Sequence, residues 1–85
     1  MYGRVTTFTL LAPSLWAVVQ AVATKLETTE YKRYLYKAGD NNGFIVENFE
    51  NKIIAGSKLD VIKAMQGLSE QGMAKVSIQE GSINK

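Results

Sequence analysis

The chain contains no cysteine and no histidine among its 85 residues. Without cysteine the chain can form neither a disulfide framework nor a thiolate nucleophile. The absence does not indicate whether the protein works in an oxidising or a reducing compartment. Without histidine it lacks the usual general base near neutral pH and the commonest metal ligand. These absences predict a protein that is not an enzyme, that holds no metal and no cofactor, and that acts by binding.

An excess of charge and a long apolar run are also missing. The formal net charge is +2, from ten Lys and Arg against eight Asp and Glu, so an electropositive surface has to come from local clustering. No apolar stretch reaches the ~20 residues that a membrane span needs. The apolar N-terminal segment imitates a secretory signal, but Pro13, Ser14 and Gln20 interrupt it. We therefore expect a cytoplasmic protein.

The segment from Tyr31 to Lys37 holds three of the four tyrosines and three of the ten basic residues. Aromatic and basic side chains interleaved on an extended segment can stack on flat rings and neutralise phosphates. The same pattern is typical of an edge strand whose lysines deter aggregation while its tyrosines cover the core. The two acids that follow, Glu47 and Glu50, flank a predicted turn and are most simply solvated.

Turn and cap residues divide the chain into the order β-α-β-β-(β)-α-β. Pro13 marks the change from a β-branched strand to a helix, and the sequence from Gly39 to Gly43 is typical of a hairpin turn. The segment 44–55 is either one long bent strand or two short strands. The predicted elements are strands at 4–11, 31–37, 44–47, 52–55 and 75–79, a helix at 15–26, and a helix from Ser57 to the terminating Gly72.

The helix ends carry two further predictions. Ser57 with Asp60 three residues later is typical of a capping box, and Gly72 followed by Met73 is typical of a Schellman motif. The first helix is apolar on most sides, so it either lies under a sheet or uses Trp16 as a contact in a homodimer.

The economical fold for this order is α+β, with a single antiparallel sheet of four or five strands and two helices on one face. A ferredoxin-like sandwich results if residues 44–55 form one strand, and a three-strand meander between the helices results if they form two. We expect residues 1–85 to make one small domain with a frayed tail at about 81–85.

With these elements in place, residues 15–80 resemble the C-terminal double-wing DNA-binding domain of the middle-promoter transcription activator of T-even-type phages. The shared features are a helix, a Tyr-Leu-bearing strand, the Asn42-Gly43 turn, the Ile54-x-Gly56-x-Lys58 sequence leading into a helix, and the Gly72-Met73 end. The resemblance implies a double-wing-like, phage-type protein in the host cytoplasm. It also implies that a saddle-shaped sheet face contacts DNA through Tyr34, Tyr36, Lys37 and Lys52.

Two non-catalytic functions follow as expectations. The first is a phage-type regulator that binds DNA or RNA through its open sheet face, with basic side chains on phosphates and tyrosines on bases. The second is an inhibitor or adaptor, of antitoxin or counter-defence type, that binds a host toxin or defence enzyme through the same residues or the strand edge. The predicted site residues are Tyr31, Lys32, Arg33, Tyr34, Tyr36, Lys37, Lys52 and Lys75.

Overall fold

Five antiparallel strands form one sheet in the order β2-β3-β4-β1-β5 in the computed structural model, which describes residues 1–83. The strands are β1 (Tyr2–Leu10), β2 (Leu26–Glu27), β3 (Tyr31–Lys37), β4 (Asn42–Phe49) and β5 (Ala74–Ser82). The helices are α1 (Trp16–Val22), which follows a 3-10 turn at Pro13–Leu15, α2 (Lys52–Ser57) and α3 (Asp60–Glu70). The predicted α+β, ferredoxin-like fold is confirmed.

Burial alternates along β1 and decides which face of the sheet meets the helices. The even-numbered residues, from Tyr2 to Leu10, are buried, while the odd-numbered ones are exposed or half-buried. Strand β4 alternates in the same way, with Ile45 and Phe49 inward and Phe44 and Val46 on the other side. One face therefore carries the core and the helices, and the opposite, open face has no helix among the described residues.

The main core lies between β1, α1 and α3. Phe8 meets Trp16 edge to face with ring centroids 5.4 Å apart, a favourable aromatic geometry. Val19 of α1 and Met65 of α3 are fully buried in the same cluster. Gly43 makes room for this packing, because a Cβ there would collide with the Tyr36 carbonyl and lie 2.8 Å from the Trp16 ring. Helix α1 thus lies under the sheet, which is one of the two alternatives that the sequence left open for it.

Residues 52–55 are helical, so both strand interpretations of this segment are wrong. Asn51 caps α2: its side chain accepts a hydrogen bond of 3.0 Å from the Ile54 N–H. The isoleucines favour a strand by propensity, but only Ala55 of α2 is buried, and Ile53 is 84% exposed. A local cap has overridden β propensity here.

The predicted end of α3 is confirmed and its predicted start is wrong. Gly72 has φ +72°, the Met73 N–H donates to the Leu68 carbonyl at 2.9 Å, and the Gly72 N–H donates to the Ser69 carbonyl at 3.0 Å. These two bonds define a Schellman motif. At the other end Ser57 closes α2 and donates its hydroxyl to the Ile54 carbonyl, so no capping box forms.

Other boundaries also differ from the sequence prediction. Helix α1 ends at Val22 instead of 26, which leaves room for the two-residue strand β2. Asn42 and Gly43 begin β4 rather than form the turn. Strand β5 continues through Ser82, so Gly81 and Ser82 are not frayed, while residues 84–85 of the predicted tail lie outside the described part.

None of the helices in residues 1–83 has the length and apolar character that crossing a membrane demands.

Candidate functional site

The sheet separates the residues of the Tyr31–Lys37 segment onto two faces. Tyr31 and Arg33 point to the helices, where Tyr31 is buried and stacks on Phe49 at a centroid distance of 5.2 Å. Arg33 reaches Asp60 of α3, with Nη1 and Oδ2 3.6 Å apart. Lys37 also lies on this face, with its Nζ 5.3 Å from the Trp16 ring. The segment therefore does not form one exposed basic patch.

The other predicted residues of this strand, Lys32, Tyr34 and Tyr36, share the open face. Tyr36 stacks on Phe44 with centroids 4.8 Å apart, and Tyr34 donates its hydroxyl to Glu27 at 2.9 Å. The hydrogen bond from Tyr34, ahead of the nearby Lys25 charge, lowers the pKa of the Glu27 carboxyl. An acid therefore stands among the basic and aromatic groups of this face.

The remaining predicted residues lie apart from this strand. Lys52 begins α2, and Lys75 lies on β5 at the opposite edge of the sheet. Trp16 is buried in the core, and its indole N–H donates to the Asp40 carbonyl at 2.6 Å. Trp16 is therefore a core residue of the single chain, and the predicted dimer contact at this position does not fit its burial.

A buried ionic group, the Arg4 cluster (Arg4, Tyr31, Glu47 and Glu80), lies under α2 at one end of the sheet. Arg4 donates its Nε to Glu80 at 2.7 Å and its two terminal nitrogens to the backbone carbonyls of Lys58 and Ala55, each at 2.9 Å. Tyr31 donates its hydroxyl to Oε2 of Glu47 at 2.5 Å. The cluster joins strands β1, β3, β4 and β5 to the junction of α2 and α3.

The two carboxyl groups of this cluster have pKa values shifted in opposite directions. Burial raises the pKa of Glu47 above its ordinary value, and the Tyr31 hydrogen bond and the Arg4 charge oppose that rise only in part. The hydrogen bond from Arg4 lowers the pKa of the half-exposed Glu80. Burial, ahead of the bond to Glu47, raises the pKa of Tyr31.

Glu47 is also incompletely satisfied. Its Oε1 has no hydrogen-bond partner among the described residues and lies 3.6 Å from Nη1 of Arg4. Thr6, fully buried on the neighbouring strand, likewise has an unpartnered hydroxyl. Such groups lower stability. No grouping of three or more acids that could hold a metal ion occurs within residues 1–83.

Sequence reasoning missed the Arg4 cluster, although a signal was available. Arg4 falls in the inward phase of β1, between the apolar positions Tyr2 and Phe8. Glu47 falls in phase with Ile45 and Phe49 of β4, so it is buried and not solvated as predicted. Two opposite charges in the inward phase of neighbouring strands indicate a buried ion pair.

An apolar groove of about 650 Å³ opens at the other end of β1, between that strand, β5 and the end of α3. Leu10 and Ala74 are its buried floor, and Leu11 and Met73 are its exposed walls. The Leu11 N–H donates to the Met73 carbonyl at 2.8 Å, so the walls are fixed by backbone pairing. Its polar lining is Thr9, Ser69 and Lys75. The groove is open to solvent, and its volume lies in the range of small-molecule sites.

A second groove, of about 370 Å³, lies beside the first on the open face. We call it the hydroxyl groove, because Thr7, Thr9 and Ser77 line it together with Asn42 and Lys75. Thr9 and Lys75 belong to both grooves and face each other across β1 and β5. Of the residues predicted from sequence, Lys75 is the one that lines them.

No protein-family model and no curated protein matches the chain. Among solved structures it is similar to a candidate antibiotic biosynthesis monooxygenase from Deinococcus radiodurans, with a TM-score of 0.64, 16% identity, and coverage of 100% of this chain and 94% of the other. It is also similar to SnoaB, a cofactor-independent oxygenase from Streptomyces nogalater, and to a point mutant of it. Each has a TM-score of 0.54, 14% identity, and coverage of 99% and 93%.

These neighbours overturn the functional predictions from the sequence. The resemblance to the phage double-wing domain is wrong, because the structures that share the whole fold are monooxygenase-like. The expectation of a non-enzymatic phage-type regulator of DNA or RNA, with a host-protein inhibitor as the alternative, is contradicted for the same reason. The expectation that the chain is not an enzyme is contradicted as well. The turn and cap residues that carried the resemblance are local features that unrelated folds share.

Proposed function

We propose that this protein binds a small, largely apolar molecule in the apolar groove and acts on it as an oxygenase. The groove itself carries the proposal: five of its nine lining residues, Leu10, Leu11, Met73, Ala74 and Val76, are apolar. The oxygenase class comes from the structural neighbours, one of which is described as cofactor-independent.

The position of the groove also supports the proposal. Leu11 and Met73 follow β1 and the Schellman turn, so a ligand between them would meet loops at the end of a rigid sheet, where binding residues are common. The Arg4 cluster, in contrast, is closed by α2 and lies at the far end of β1, and we assign it a structural role.

Binding can be measured with Nile red, a neutral dye whose fluorescence rises in apolar surroundings. We expect saturable binding to the wild type and at least about tenfold weaker binding to Leu11→Glu, because the carboxylate would be desolvated by the dye. Ile53→Glu on α2 is the matched control, since Leu11 and Ile53 are both exposed, by 74% and 84%, and Ile53 does not line the groove. An equal loss of dye binding in both variants, or no binding to the wild type, would contradict the proposal that the apolar groove is the binding site.

Oxygenase activity is tested separately with an oxygen electrode and a panel of hydroxylated aromatic compounds. We expect oxygen uptake above that of heat-denatured protein, and a loss of uptake in Leu11→Glu but not in Ile53→Glu. Dye binding without any oxygen uptake would restrict the function to binding. The cytoplasmic location expected from the sequence stays a prediction, and the homodimer that the sequence left as an alternative stays untested.

A further inference from the structure

We infer that the ligand of the apolar groove is an apolar molecule that carries one anionic group, and that Lys75 selects it. The inference rests on the proposed function and names the ligand class of that site. Lys75 projects from β5 at the boundary shared by the apolar groove and the hydroxyl groove. An anionic group at this boundary would leave the apolar body of the ligand against Leu11 and Met73.

The charges that line the two grooves are unbalanced. Lys75 is charged, and neither lining includes an aspartate or a glutamate. None of the ion pairs within residues 1–83 includes Lys75, whereas Arg4 and Arg33 are both paired. An ammonium group beside apolar surface, with no acidic side chain in either lining, attracts an anion and disfavours a cation.

The neutral polar groups at this boundary are mostly hydroxyls. Thr9 lies opposite Lys75 in the register of β1 and β5, and Ser77 lies two residues along β5 on the same face. Residues two apart on a strand are about 7 Å apart, within reach of one ligand group. Hydroxyls can donate to a carboxylate or phenolate while the ammonium neutralises it.

Matched probes test the charge directly. Naphthalene-2-carboxylate and naphthalene-2-carboxamide have the same apolar body, and only the first is charged. We expect the wild type to bind the carboxylate about tenfold more tightly than the amide, because a charge-assisted hydrogen bond is the added interaction. The preference decreases as salt rises, since Lys75 is exposed.

Three variants assign the preference to one side chain. Lys75→Met keeps the length but not the charge and reduces the carboxylate-to-amide ratio to about one, while Lys75→Arg restores it. Lys32→Met is the matched control on the same open face, outside both grooves, and leaves the ratio unchanged. Because the ratio is read within each variant, a general change in affinity does not imitate the result.

The outcomes separate this inference from the function on which it rests. If Nile red binds in the groove but the carboxylate has no advantage, or keeps it in Lys75→Met, the anionic ligand is refuted and the apolar site stands. The same holds if neither naphthalene compound binds while Nile red does. If Nile red also fails to bind the wild type, the proposed function falls and the ligand class falls with it.

Discussion

At the scale of single residues, the main surprise is the amount of charge buried on the helix face. Arg4 and Glu47 are 2% and 0% exposed, which is rare for charged side chains unless they are paired. Arg4 is fully engaged, by Glu80 and two backbone carbonyls, whereas Glu47 depends on one hydrogen bond from Tyr31. The buried Glu47 carboxyl therefore has a single tyrosine hydroxyl as its hydrogen-bond donor.

The Tyr31 hydroxyl can be removed with little change in shape. We expect Tyr31→Phe to lower the free energy of unfolding by about 1–3 kcal/mol, because Glu47 then loses its hydrogen-bond donor while still buried. Tyr36→Phe is the matched control on the same strand and should change stability by less than about 0.5 kcal/mol, since Tyr36 is 47% exposed. Urea denaturation measures both, and equal effects would refute the role given to Tyr31.

At the scale of elements, the sequence predicts what local chemistry determines. The predicted end of α3 is correct because a glycine at positive φ and two backbone hydrogen bonds are sufficient to define that end. The strand prediction for residues 52–55 is wrong because Ile53 and Ile54 favour a strand by propensity. The Asn51 cap that makes them helical has the sequence appearance of a turn residue. Strand β2 was missed because two residues carry no periodicity.

Gly67 and Gly72, in α3 and just after it, test how backbone conformation determines the effect of replacing a glycine. In α3, a Cβ on Gly67 would meet nothing within 4 Å, so Gly67→Ala should raise the free energy of unfolding by about 0.5–1 kcal/mol through helix propensity. Gly72 is equally uncrowded but has φ +72°, so Gly72→Ala should lower it by about 1 kcal/mol. Thermal denaturation of both variants gives the signs. Two changes of the same sign would contradict the role given to backbone conformation at these positions.

At the scale of the whole molecule, the single antiparallel sheet with helices on one face could be predicted, but the site could not. Five strands fall in the predicted range only because the missed β2 replaces the wrong strand at 52–55. Alternation in the Tyr31–Lys37 segment gave mixed faces, and only the helices decide that Tyr31 is inside and Tyr36 outside. The apolar groove escaped prediction because Leu11 and Met73 are 62 positions apart and meet through the β1–β5 pairing. Each looks like an ordinary residue next to a turn.

The Arg4 cluster also predicts how global stability depends on pH. Because the pKa of Glu47 is raised by folding, the folded state holds its proton more tightly than the unfolded chain, and this contribution is lost as pH rises above about 4.5. Relative to Glu47→Gln, the wild type should therefore lose stability as pH rises through that window. The pKa of Glu80 is lowered by folding, so its contribution is lost as pH falls below about 4.5.

Urea denaturation of the wild type, Glu47→Gln and Glu80→Gln between about pH 3 and pH 8 measures both effects. The difference between the wild type and Glu47→Gln should fall with rising pH, and the difference between the wild type and Glu80→Gln should rise. Parallel curves for the two variants would show that the two carboxyl groups do not have opposite environments.

The pairing of β1 with β5 has a consequence for the order of folding. Tyr2 is opposite Ser82, 80 positions later, so the interior strand β1 is synthesised well before β5 and waits for this partner until β5 has been made. Until then one edge of β1 is unpaired, and contacts this distant in sequence form slowly. The walls of the apolar groove belong to the same late pairing, so the groove is completed only when β5 joins β1.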